Sequence, residues 1–134
     1  MTVNLWSFRV WPLLMVLAVI NGSAGENPGP RIYSNVEYIE EGAGDLVGTE
    51  LELKIEGSQA TGVLRIYEGG CATPSVARGS LVHGKLRLTG ENEVYGKFEV
   101  SGIIHEDTLK GLLVLEKAIG PEKIRLKKIA KPHC

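Results

Sequence analysis

From Arg31 to the C-terminus, apolar and charged residues take turns with a period of two. Leu51, Leu53 and Ile55 alternate with Glu50, Glu52, Lys54 and Glu56, and Leu64 and Ile66 flank Arg65. Leu86 and Leu88 alternate with Lys85 and Arg87, Phe98 and Val100 with Lys97 and Glu99, and Ile124 and Leu126 with Lys123, Arg125 and Lys127. Only an extended strand sorts such a pattern onto two faces, one for a core and one for solvent. No stretch carries a helical stripe, so the chain is expected to be all-β.

Turn residues separate these runs: Gly57-Ser58, Gly69-Gly70, His83-Gly84, Gly90-Glu91-Asn92, Glu106-Asp107 and Gly120-Pro121. Their spacing predicts about eight strands joined by short connections, an up-and-down antiparallel meander. A glycine precedes the alternating core at Gly48, Gly62, Gly84, Gly96 and Gly111. Glycine weakens a strand, and a recurring one is explained by kinks that let a sheet curl and close. The expected fold is a small β-barrel whose interior is filled by side chains or holds one small ligand.

One run departs from alternation. Leu112, Leu113, Val114 and Leu115 are consecutive, after Ile103-Ile104. If Leu113 and Leu115 point inward, Leu112 and Val114 point outward beside Ile103. Such a patch is either covered by the C-terminal segment, the expectation preferred here, or left bare as a contact surface.

The N-terminal residues change the picture of the compartment. Arg9, the apolar run from Val10 to Ile20 and the small residues Gly22 to Gly25 have the layout of a secretory signal, with cleavage expected after Ala24 or Gly25. The apolar run is about a dozen residues, short of the roughly 20 that cross a bilayer as a helix. The organisation expected is a signal peptide over residues 1–24, a Pro/Gly linker over 25–30 and one β-barrel domain over 31–134. The mature chain, about 110 residues, is long enough for a single core. It is expected to be secreted or periplasmic, with no membrane span once the signal is removed.

Cleavage takes both tryptophans, Trp6 and Trp11, and Arg9, leaving a slightly acidic chain. Nothing in that balance calls for nucleic acid. Acidic residues crowd the first third (Glu37, Glu40, Glu41, Asp45, Glu50, Glu52, Glu56) and basic ones the last segment (Lys123, Arg125, Lys127, Lys128, Lys131). The preferred expectation is that they pair across the seam where the first and last strands meet.

The two cysteines, Cys71 and Cys134, read as a disulfide in an exported protein, ahead of a rival reading in which they join His133 as metal ligands without any zinc spacing. No Gly-x-Ser-x-Gly elbow, zinc motif, phosphate loop or dinucleotide fingerprint occurs, so neither cofactor nor metal is expected. His105 with Asp107 and Ser101 is the nearest approach to a hydrolytic set. A His-Glu-Asp string in a polar turn is ordinarily solvated turn chemistry, and an enzyme is not expected.

In outline the chain resembles the lipocalins and avidins, small meander barrels, although the lipocalin Gly-x-Trp and the avidin tryptophans are absent. It also resembles small periplasmic lysozyme inhibitors, secreted barrels with a disulfide, without their inhibitory motifs. The resemblance implies an architecture and carries no site residues.

The function expected is that of a non-enzymatic binding protein acting through its surface and loops on a protein partner, in an inhibitor-like role. The alternative is a carrier of a small apolar ligand inside the barrel. The candidate surface is the loop from Glu68 to Gly79 around Cys71, and the patch of Ile103, Leu112 and Val114 with Tyr67 or Tyr95 nearby.

Overall fold

The computed structural model describes residues 29–40 and 45–134. The expected signal peptide and most of the linker lie outside the described residues. Nine strands follow in order: β1 (Arg31–Ser34), β2 (Glu37–Ile39), β3 (Asp45–Glu56), β4 (Gln59–Gly69), β5 (Ser75–Val82), β6 (Lys85–Asn92), β7 (Gly96–His105), β8 (Thr108–Leu115) and β9 (Glu122–Ile129). Each strand from β3 to β9 pairs antiparallel with the next, and β1 pairs with both β9 and β3. The result is a closed eight-stranded meander barrel with β2 as an extra strand.

β1 and β2 are one stretch of chain interrupted at Asn35-Val36. The Asn35 side-chain Oδ1 accepts the Thr49 N–H at 2.7 Å, taking a ladder position that a main-chain carbonyl would otherwise fill. Gly48 permits this. Its φ of 138° is closed to most side chains, and a Cβ there would press on Asn35 Oδ1 and the Val36 Cα. Beyond the break β2 pairs only with β3.

The inward positions are those the alternation marks. Leu51, Leu53, Leu64, Leu86, Leu88, Phe98, Val100, Leu113 and Leu126 are buried in one contiguous cluster with Tyr33, Ala77, Leu109 and Ile124. Within that cluster Leu53, Leu64, Leu88, Phe98 and Leu113 fill the interior where a carried ligand would have to sit. Burying one such Leu or Phe side chain is worth about 1.5–3 kcal/mol, so the cluster is the main source of stability.

Three expectations about connections are corrected. Gly90-Glu91-Asn92 lies inside β6 and not in a turn. The turn comes later because Asn92 Oδ1 accepts the Val94 and Tyr95 N–H groups, which brings the chain round. The long loop expected from Glu68 to Gly79 is short, since β4 runs through Gly69 and β5 starts at Ser75. Ala77 points into the core there, and its small size hid the alternation. Finally, Gly84 occupies a turn and not a strand kink. His83 and Gly84 both have positive φ, as a tight two-residue hairpin requires.

The charge seam is also corrected. Among the described residues, none of Lys123, Arg125, Lys127, Lys128 or Lys131 is in an ion pair. The reason is β1, which pairs with both β3 and β9, so that the acidic and basic strands are not ladder neighbours. Some of the acidic residues find partners locally instead: Arg65 lies 3.3 Å from Glu52 and 3.9 Å from Glu50, and Lys54 lies 3.6 Å from Glu56.

Candidate functional site

The residues singled out from the sequence fall in two places. The first is the outer face of β3 and β4, where the chain ends. Cys71 and Cys134 are disulfide-bonded, with Cα atoms 5.8 Å apart. This bond lays the last residues over Glu50 and Tyr67, which by alternation face outward. Glu50 becomes fully buried and Tyr67 is left only 1% exposed.

Three groups converge on the Glu50 carboxylate. The Tyr67 hydroxyl donates to Oε2 at 3.0 Å, the His133 main-chain N–H reaches the same oxygen at 3.4 Å, and His133 Nδ1 lies 2.6 Å from Oε1. An ionised carboxylate only accepts, so the proton of that last bond then sits on Nδ1. Burial, then the hydrogen bond to Glu50, pushes the Tyr67 hydroxyl up to about 12. Donors and acceptors here are turned on one another, and their effect is to hold the chain end down. Tyr67 therefore belongs to a closed buried cluster and not to an open surface. Sequence reasoning missed Glu50, because its place among Glu52, Lys54 and Glu56 marks it as solvent-facing. The available signal was Cys134, whose bond to Cys71 carries His133 with it.

The second place is the outer face of β6 to β9. Register sets two rows across it: Arg87, Ser101, Leu112 and Lys123, and beside it Lys85, Ile103, Lys110 and Arg125. Partners in register share a face and stand about 5 Å apart. Leu113 and Leu115 do point inward, so Leu112 and Val114 face out together with Ile103. The expected cover does not reach them, since the C-terminal segment crosses β3 and β4. Ile103, Leu112 and Val114 stay 55%, 38% and 43% exposed. They form an apolar diagonal on a charged sheet.

A cleft of about 320 Å³ opens at the Ile103 end, lined by Ile103, His105, Glu106, Thr108, Lys110 and Arg125. Another lies at the Val114 end, between Glu91, Lys97, Glu99 and Glu116. Tyr95 is not part of this face. It is half-buried against the core, and its hydroxyl donates to Glu68 across the barrel end. Ser101 and His105 both face outward on β7 but are four positions apart, about 13 Å along a strand. A serine-to-histidine hydrogen bond does not form over that distance. Further exposed apolar residues, Ile39 and Val47 on one face of β2 and β3 and Tyr38 on the other, were not marked by the sequence pattern.

Comparison with protein-family models, curated proteins and solved structures finds no match to this chain.

Proposed function

We propose that this is an exported, non-catalytic binding protein that engages a protein partner through the outer face of β7 to β9. The observation that carries the reading is the bare apolar diagonal of Ile103, Leu112 and Val114 on the otherwise polar outer face of β6 to β9. Contiguous apolar surface rimmed by polar groups marks contact sites on soluble proteins. The filled interior weighs against a ligand carrier, and the separation of Ser101 from His105 weighs against a serine hydrolase.

The test is cross-linked capture in the protein's own compartment, with the native protein and the double variant Ile103→Ser/Leu112→Ser side by side. A protein partner recovered with the native chain and lost with the variant supports the reading. Equal recovery by both, or an extracted lipid in place of a protein, overturns it.

A further inference from the structure

Resting on that reading, we infer that the partner presents a short acidic segment with an apolar side chain, seated at the Ile103 end of the β7–β9 face. Three observations lead there. Lys110 and Arg125 are register partners beside Ile103, and Lys127 is the register partner of Thr108 one step further. None of these cations, nor Lys85 or Lys123, is in an ion pair among the described residues, while Arg87 is held by Glu99 at 3.4 Å. The Ile103 cleft therefore joins an apolar wall to cations with unspent charge, the arrangement that receives a carboxylate next to an aliphatic group.

The edges of the patch limit the partner's class. Glu91, Glu99 and Glu116 stand at one end and Glu106 lines the cleft at the other, so an extended polyanion runs onto carboxylates in both directions. The face carries no phenylalanine, tyrosine or tryptophan as a platform for successive nucleobases, and its one ring is the His105 imidazole. It likewise has no tyrosine or tryptophan to anchor at a lipid headgroup layer. Within the cleft Glu106 is one carboxylate against Lys110 and Arg125, so a short acidic protein segment still meets net positive charge there.

The experiment titrates the oxidised protein with a short capped peptide of glutamates flanking one leucine, and with an all-glutamate peptide of the same length. Duplex DNA and phosphatidylserine vesicles are run alongside. The leucine-bearing peptide is expected to bind more tightly than the all-glutamate one, and to weaken as salt rises. Lys110→Glu/Arg125→Glu is expected to lose about tenfold or more in affinity, since like charges then face each other. Ile103→Ser is expected to abolish the preference for leucine while leaving the all-glutamate affinity in place. Circular dichroism confirms that each variant is folded.

Absence of binding to either peptide at low ionic strength overturns the inference, as does tighter binding to DNA or vesicles. A captured partner that depends on Ile103 and Leu112 but is indifferent to Lys110→Glu/Arg125→Glu overturns the charge inference alone and leaves the surface reading standing.

Discussion

His133 Nδ1 lies 2.6 Å from Oε1 of Glu50, a residue 83 positions earlier in the chain, and with Tyr67 it closes a carboxylate off from water. Breaking a buried pair from one side strands a charge, which costs about 3–5 kcal/mol. The imidazole remains 32% exposed and Arg65 and Tyr67 also face Glu50, so the lower part of that range applies. His133→Ala is expected to destabilise the protein by about 3 kcal/mol. Glu50→Gln combined with His133→Ala is expected to cost less than the sum of the two single changes. A double-mutant cycle in urea measures the difference, and strict additivity would show that the pair is not coupled.

The Cys71–Cys134 bond closes a loop with a sequence separation of 63. Loop-closure entropy values such a bond at roughly 4 kcal/mol. Its loss also frees the chain end that roofs Glu50 and Tyr67. The Cys71→Ser/Cys134→Ser variant is therefore expected to melt well below the oxidised protein, with Tyr67 newly accessible to solvent. Thermal scans followed by tyrosine absorbance report both, and an unchanged melting temperature would remove the chain end from the stability account.

Tyr67 makes stability fall at alkaline pH. Its hydroxyl is raised from 10.0 to about 12 in the folded chain, so between those values the unfolded state releases a proton that the folded state keeps. Stability present below pH 10 is lost as pH climbs toward about 12, by on the order of 2–3 kcal/mol. At neutral pH, Tyr67→Phe is expected to be less stable than the native chain by about 1–3 kcal/mol, because Glu50 loses a donor. That gap narrows as pH rises above 10. Urea unfolding at matched pH values tests it, and a gap that stays constant or widens would contradict the assignment.

Gly111 lies directly across from Gly102 on β7 and β8. A Cβ at Gly111 would overlap the Ser101 carbonyl and press on the Gly102 Cα. Gly111→Ala is expected to cost about 1–3 kcal/mol through forced backbone movement, without altering an exposed group. Denaturant midpoints decide it. A neutral result would mean that the strands at this corner of the barrel are free to separate.

The outer face behaves in the opposite way. Ile103→Ser/Leu112→Ser removes apolar atoms that already meet water, so stability is expected to change by no more than about 0.5 kcal/mol. A loss of several times that amount would mean that the diagonal supports the fold.

Much of the barrel is readable along the chain because alternation is a local property. Leu51 beside Glu52, or Phe98 beside Lys97, states which side of a strand faces the core, and the short turns leave each strand its neighbour as a partner. The strands with weak alternation were the harder ones. β5 hides its inward position behind Ala77, and β6 runs through Gly90, which as a glycine in a strand imitates a turn. The candidate surface was half legible. The outward direction of Leu112 and Val114 follows from that of Leu113 and Leu115, whereas their exposure depends on where the chain end lies.

By itself the sequence determined an antiparallel meander and the sorting of residues onto two faces, and it favoured a disulfide between its only two cysteines, which the structure contains. Only the tertiary structure decided which outward residues are covered. β1 slips between β3 and β9 and separates the acidic and basic strands. The C-terminal residues bury Glu50 and Tyr67 and leave Ile103, Leu112 and Val114 bare. Period-two patterning records the side a residue faces, but cover comes from chain brought back across many tens of residues by closure and by the disulfide, and no local pattern carries that distance.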